Sequence, residues 1–207
     1  MVPDIYLQRA LALLESGQRK ILGIAGAPGS GKSTVAQALA EQLGARAIVV
    51  PMDGYHLANV ELARLGRASR KGAPDTFDMY GYVALLQRLK QQGKDETVYA
   101  PLFRREIEEP IAGAIPVAAD IPLIITEGNY LLMENGGWQG VRPLLDEAWY
   151  VGVDDELRRS RLAARHMHFG RSEQAAKDWV ANTDEPNAVR IAATQARADL
   201  IVQWPEL

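Results

Sequence analysis

Apolar positions along this chain follow two rhythms, a helical period near 3.6 and short continuous runs, and the two alternate from one end to the other. Ile5 to Glu15 (IYLQRALALLE) repeats apolar side chains at helical spacing and meets a stop at Ser16-Gly17, which predicts a leading helix. Lys20 to Ala25 (KILGIA) reads as a buried strand, followed by a Gly/Pro-rich turn and a second helical pattern from Lys32 to Leu43, closed by Gly44. Ala45 to Met52 (ARAIVVPM) predicts the next strand, with Pro51 marking where its pairing stops, so Asp53 falls at a strand's carboxyl end.

From Gly54 to Thr76 the chain is polar, basic and glycine-containing, the pattern of a short helix and a mobile loop. Asp78 is placed to cap a helix over Met79 to Gln92, with Gly93 as its stop. Thr97 to Phe103 and Ile115 to Ala118 predict two extended pieces joined by a charged stretch, RREIEEPIAGA, as a small hairpin or flap. Ile121 to Thr126 and Glu147 to Val153 read as core strands. An arginine-rich helix is expected over Asp154 to His168, broken by Phe169-Gly170-Arg171-Ser172 and resumed over Glu173 to Ala181. A helix at Ala188 to Arg197 and a strand at Leu200 to Gln203 complete the pattern. Strands alternating with helices predict an α/β fold, a parallel sheet of about five strands flanked by helices as a three-layer sandwich. No repeat, low-complexity tract or linker interrupts it, so residues 1–207 read as a single domain.

Composition narrows the partners. A chain of 207 residues, 47% hydrophobic, can bury one substantial core. Its formal net charge of −3 argues against nucleic acid as the main partner. The absence of cysteine removes disulfides, thiolate metal sites and thiol nucleophiles, and fits a reducing compartment. No apolar run is long enough to cross a bilayer, and Met1 to Gln8 lacks the basic-then-apolar layout of a secretory signal. The expectation is a cytoplasmic protein acting on a small molecule, with no nucleic acid and no membrane; a homodimer stays open.

The most informative segment is Gly26-Ala27-Pro28-Gly29-Ser30-Gly31-Lys32-Ser33-Thr34, a full match to G-x-x-x-x-G-K-[ST] between a strand and a helix. Glycines let backbone N–H groups turn inward on phosphate oxygens, and the helix N-terminus adds partial positive charge. Lys32 is placed to reach the β- and γ-phosphates of ATP, and the Ser33 hydroxyl to ligate Mg²⁺. No Asn-Lys-x-Asp guanine-reading motif and no L-S-G-G-like stretch is present, which leaves a small metabolite kinase as the fitting class of P-loop protein.

Two acids end strands at the edge where the P-loop lies: Asp53 after Ile48 to Met52, and Glu127 after Ile124 to Thr126. An acceptor hydroxyl must lose its proton as it attacks, and a carboxylate in reach can take it. Asp53 is assigned that role and Glu127 the Mg²⁺ shell, in part through water; simple helix capping is the alternative for either.

With these residues in view, the set Gly26 to Thr34, Met52-Asp53-Gly54-Tyr55-His56, Pro74-Asp75-Thr76-Phe77-Asp78 and Thr126-Glu127-Gly128-Asn129-Tyr130-Leu131-Leu132 resembles the phosphoribulokinase/uridine kinase family over nearly the whole chain. Within it the likeness is to bacterial members described as fructokinase-like or as nucleoside/nucleotide kinases. The resemblance implies a base at Asp53, a Mg²⁺-side acid at Glu127 and recognition of the acceptor hydroxyl at Asp78. Uridine kinases carry aromatic residues and a histidine where this chain reads Pro101-Leu102-Phe103-Arg104-Arg105-Glu106, which argues against a pyrimidine nucleoside acceptor. Arg104 and Arg105 are candidates to contact a hydroxyl-rich or anionic acceptor, or else pair with Glu106, Glu108 and Glu109 on an exposed flap. His56 is a candidate for the acceptor pocket; Arg70 and Lys71 are candidate contacts or a solvated basic loop.

Arg158, Arg161 and Arg165 fall three and four apart on one helical face. Arginines closing over the phosphates would stabilise charge that builds in the transition state. Arg161 and Arg165 are assigned this role first and Arg171 second, while Arg158 and Arg159 read as a solvated face paired with Asp154, Asp155 and Glu156. Asn187 is a nucleotide-base candidate by family position alone. Trp138, Trp149 and Trp179 read as packing. The expected activity is transfer of the ATP γ-phosphate to a hydroxyl of a sugar, fructose-like, with a nucleoside, sugar phosphate or pantothenate-like acceptor, or an NTPase without a small acceptor, as the alternatives.

Overall fold

A computed structural model describes residues 2–203 of the chain. Helix α1 (Asp4–Leu14) leads into β1 (Lys20–Ala25), the P-loop and α2 (Lys32–Leu43). A 3₁₀ turn, Gly44–Arg46, trims the predicted second strand to β2 (Ala47–Pro51), and a second turn, Met52–Tyr55, follows it directly. After α3 (Asn59–Arg64) and α4 (Met79–Lys90) come the hairpin strands β3 (Val98–Arg104) and β4 (Glu109–Val117). The chain then runs through β5 (Leu123–Gly128), β6 (Glu147–Gly152), α5 (Asp155–His168), α6 (Glu173–Trp179), α7 (Glu185–Ala192) and β7 (Leu200–Gln203).

Five strands form a parallel sheet in the order β2-β5-β1-β6-β7, as the alternating pattern predicts. Side-chain alternation splits the apolar positions between two faces. Ile21 on β1, Val50 on β2 and Ile124 on β5 join Tyr82, Leu86 and Leu89 of α4 and Trp138 in one cluster. Leu22 and Ile24, with Leu123 and Ile125, pack against Val35, Leu39 and Leu43 of α2 and against α1 in the other. The same alternation directs Glu127 to the α2 side of the sheet, which is where Ser33 waits.

Three expectations are corrected. Strand β4 begins at Glu109 rather than Ile115, because the charged stretch pairs antiparallel with β3 out to Arg104–Glu109. The loop after His56 is tied down: Arg67 Nη1 donates to the Asp75 carbonyl at 2.7 Å, and Thr76 Oγ1 donates to the Ala73 carbonyl at 2.7 Å. The last helix starts at Glu185, three residues before Ala188, following a π-helical turn over Val180–Asp184, and ends at Ala192. Pro186 sits just past the π-helical turn in a helical run unbroken from Glu173 to Ala192, and the wider turn coincides with the hydrogen bond that its missing N–H removes.

Candidate active site

The P-loop takes the shape its glycines permit. Gly29 has φ +79, and a Cβ there would stand 2.7 Å from Leu162 Cγ and 2.9 Å from the Arg158 carbonyl oxygen, so α5 packs directly on the loop backbone. Gly31, at φ 90, precedes α2 with no side chain capping it, which leaves the N–H groups of the first turn open to an anion. Ser30 is fully buried in the loop and Thr34 is exposed one turn on. Burial lowers the Lys32 pKa, while Glu127 and Asp53 act against that loss and favour the charged ammonium.

Strands β2 and β5 pair in register up to Pro51–Glu127, so the turn that carries Asp53 starts beside the end of β5. Ser33 Oγ donates to Glu127 Oε1 at 3.1 Å. Glu127 is 5% exposed; burial raises its pKa, Lys32 lowers it, and Asp53 adds to the rise. Asp53 goes the other way: burial alone would raise it, but His56, Arg105, Lys32 and Arg165 together hold it below the ordinary carboxylate value. Two carboxylates near one lysine are thus pushed apart in acidity, an arrangement that separates an ionised base from a second acid.

The acceptor side is built on the turn after β2 and on the hairpin. Arg105 Nη2 donates to Asp53 Oδ2 at 3.1 Å. The His56 ring lies 4.0 Å from Phe77 and 4.5 Å from Phe103, centroid to centroid, and its Nδ1 is 2.7 Å from the Asp53 carbonyl oxygen. Lys71 Nζ stands 5.0 Å above the Phe103 ring and donates to Asn59 Oδ1 at 2.7 Å and to the Glu108 carbonyl.

A cleft of about 450 Å³ connects these groups to the lid. It brings together Pro28, Lys32, Ser33, Asp53, His56, Arg105, Glu127, Arg165, Arg171 and Asn187 of the residues expected from the sequence. Gly26 and Ala27 stand in the loop behind Pro28. Asp78, Arg104 and Arg161 are not on its wall: Asp78 is exposed and caps α4, its Oδ1 accepting from Gly81 N at 2.8 Å, Arg104 points from the exposed end of β3, and Arg161 is half-buried on α5. Arg70 pairs with Asp75 on the surface, whereas Lys71 lines the cleft.

Arg158 corrects the reading of a solvated face. Its side chain is 2% exposed beneath the P-loop and donates to Asp155 Oδ1 at 2.9 Å and to Glu185. Packing of α5 on the glycine loop buries it, a tertiary effect that helical spacing does not report. Arg165 lies deeper toward the cleft, where burial lowers its pKa and Arg105 adds to the fall. The Arg171 guanidinium stacks 4.0 Å from the Trp179 ring, which makes Trp179 part of the cleft wall rather than plain packing. Asn187 is 5% exposed, and its Oδ1 accepts from Arg190 Nη1 at 3.3 Å. Asn129 also lines the cleft and was not among the expected site residues. Its signal was available, since it stands two residues beyond Glu127 and strand alternation puts the two on one side.

A parallel sheet with a glycine phosphate loop, a lysine, a hydroxyl–carboxylate pair for a divalent cation and an arginine-bearing lid defines a P-loop kinase. The chain belongs to the phosphoribulokinase/uridine kinase family, whose model matches residues 21–206. A protein of Schizosaccharomyces pombe provisionally named a uridine kinase is 33% identical over 211 residues, covering 97% of this chain and 89% of its own. An ATP-dependent kinase-like protein of Aspergillus versicolor is 36% identical over 166 residues, covering 75% of this chain and 96% of its own. The crystal structure of a protein from Silicibacter provisionally named a fructose transport system kinase superposes with a TM-score of 0.88 at 38% identity, over 99% of this chain and 100% of that one. Kinases of this family use ATP with Mg²⁺, and the residues present fit both: a loop closed to any Cβ at Gly29, an uncapped α2, and the Ser33–Glu127 pair. No helix among the described residues is long and apolar enough to cross a membrane.

Proposed function

We propose that the protein transfers the γ-phosphate of ATP to a hydroxyl of a sugar, D-fructose or a close relative. The observation that carries this reading is the engagement of the flap's aromatic ring. Phe103 is taken up by His56 at 4.5 Å and by Lys71 at 5.0 Å, so the flap offers polar groups and a cation where a nucleobase would need a free ring face. The name of the Silicibacter protein supports a sugar, and that of the Schizosaccharomyces pombe protein favours the nucleoside alternative.

In this reading Mg²⁺ neutralises phosphate charge and aligns the transferring group. Lys32 and the N–H groups opening α2 bind the phosphates. Ser33 and Glu127 hold the cation side, and Arg165 with Arg171 closes over the charge and excludes water. Asp53, kept ionised by its cationic neighbours, takes the proton from the attacking hydroxyl.

A coupled ADP-release assay over a panel of D-fructose, other hexoses, uridine, cytidine, pantothenate and sugar phosphates tests the assignment. Stimulation over water by D-fructose or a related sugar, and less by the nucleosides, is expected. Efficient phosphorylation of uridine with no response to sugars overturns it.

A further inference from the structure

Four residues, Arg105 to Glu108, turn the hairpin between β3 and β4, and both ends of that turn line the cleft. Arg105, the first, donates to Asp53 Oδ2 at 3.1 Å. Glu108, the last, has φ 53, and no other non-glycine residue among the described ones has a positive φ. Such a conformation costs energy and persists only where the surroundings hold it. The holding groups come from the segment after His56. Lys71 Nζ donates to the Glu108 carbonyl, and Asn59 Nδ2 donates to the same oxygen at 3.1 Å. Lys71 also donates to Asn59 Oδ1 at 2.7 Å, which turns the Asn59 amide so that its N–H points at the flap. The Asn59 backbone N–H meets both carboxylate oxygens of Glu109, at 3.0 and 3.1 Å.

Lys71 is itself fixed. Its side chain is 13% exposed, two of its three N–H donors are engaged by these oxygens, and the Glu108 carboxylate lies 3.9 Å from its ammonium. On the next residue, Gly72, the N–H donates to Thr76 Oγ1 at 3.0 Å and the carbonyl accepts from the Tyr130 hydroxyl. Tyr130 is fully buried and stands three residues beyond Glu127. An unbroken series of contacts therefore runs from the end of β5, through Tyr130, Gly72 and Lys71, to the Glu108 end of the turn and so to Arg105 on Asp53. Lys71 is the link by which the sheet holds the flap.

We propose that Lys71 is a positioning residue for the transfer reaction: by clamping the Glu108 end of the flap turn it sets Arg105 on Asp53, and it does not touch the acceptor. The proposal rests on the reading of Asp53 as the base of a hydroxyl kinase and deepens it. With the ammonium gone, the turn loses the donor that holds its last residue in the left-handed region, and Arg105 at its first residue is no longer held against the carboxylate. The phosphate side is built on β1, α2 and α5, away from the flap, so binding of ATP is left as it was.

The chain has no cysteine, so spin labels at Ile5→Cys on α1 and Ile107→Cys in the turn, both exposed positions, report where the flap stands by double electron–electron resonance, whatever the acceptor. One narrow distance distribution is expected for the labelled full chain and for Arg105→Ala added to it. Lys71→Met, which keeps an unbranched side chain without the ammonium, broadens the distribution or adds a second population, and Lys71→Arg, which keeps a charged donor, retains the narrow one. ADP-release kinetics with D-fructose on the unlabelled protein supply the second readout. Lys71→Met raises the D-fructose KM about 5- to 10-fold and leaves the ATP KM within about 2-fold. Lys71→Met/Arg105→Ala is no worse than Arg105→Ala alone, because the lysine acts through that arginine. An unchanged distance distribution in Lys71→Met, an equal broadening in Arg105→Ala, a D-fructose KM that Lys71→Met leaves unchanged, or single-variant effects that multiply in the double variant overturns the proposal. A flap displaced by Lys71→Met alone in a protein that D-fructose does not stimulate upholds the clamp and overturns the sugar reading instead.

Discussion

Arg105 donates to Asp53 across 3.1 Å, a contact that ties the hairpin flap to the turn after β2. The arginine both orients the carboxylate and helps hold it ionised. Arg104, its neighbour, is exposed and makes no such contact. Arg105→Ala is therefore expected to raise the acceptor KM by about 10-fold or more, the loss of a charged hydrogen bond, with the ATP KM barely changed. Arg104→Ala is expected to stay within about 2-fold of the unmodified protein. Steady-state kinetics on the two single variants separates them, and equal effects would contradict the assignment.

Asp53→Asn keeps the shape of the side chain but cannot accept a proton. It should lower kcat by about 100-fold or more while ATP affinity survives. If titration shows ATP affinity lost and kcat retained, Asp53 belongs to the metal shell.

The imidazole of His56 gives a pH prediction. Burial depresses its pKa below the ordinary value. The neutral ring is then the form present at pH 7, and its contribution to folding is full above the unfolded-state pKa of about 6.5 and is lost as pH falls toward the depressed folded value. The acceptor KM should stay flat as pH falls through about 6.5 and rise only below it. An inflection at the ordinary imidazole value that disappears in His56→Phe would contradict a buried, neutral ring. Nitrogen-15 NMR should report Nδ1 as the protonated nitrogen.

Arg158 bears on stability. It is buried at 2% exposure with two carboxylate partners and holds α5 against the P-loop. Arg158→Ala removes the buried guanidinium and leaves Glu185 only its 3.4 Å contact with Arg159, and should cost about 2 kcal/mol, read as a fall in denaturant midpoint. ATP affinity should fall with it, because Gly29 leans on the same turn of α5. A stability change under about 0.5 kcal/mol would return Arg158 to the solvated face suggested by its spacing.

Much of this was readable from local pattern. Strand β1 and helix α2 occupy the residues predicted, since a short apolar run and a 3.6-residue period bounded by glycines are local signals. Asp53, Glu127 and Ser33 converge because strand ends in a parallel sheet share an edge, which topology alone implies. Strand β4 is longer than its pattern suggests: Glu109 to Ala114 has neither an apolar alternation nor a buried face, and only pairing with β3 makes it a strand. Arg158 and Trp179 depend on how α5 and α6 fold back over the loop, and no spacing rule encodes that contact. Asn129 was legible by the same alternation that places Glu127 two residues before it, and the folded cleft shows the two on one wall.

The central claim, a kinase that phosphorylates a sugar hydroxyl, is tested most directly by phosphorus-31 NMR of the protein incubated with ATP, Mg²⁺ and D-fructose or a related hexose. The account predicts a new phosphate-ester resonance growing in step with ADP, and its loss in Lys32→Ala, where the positive charge on the β- and γ-phosphates is removed. Inorganic phosphate as the sole product with every sugar, or an ester formed at the same rate by Lys32→Ala, would contradict it.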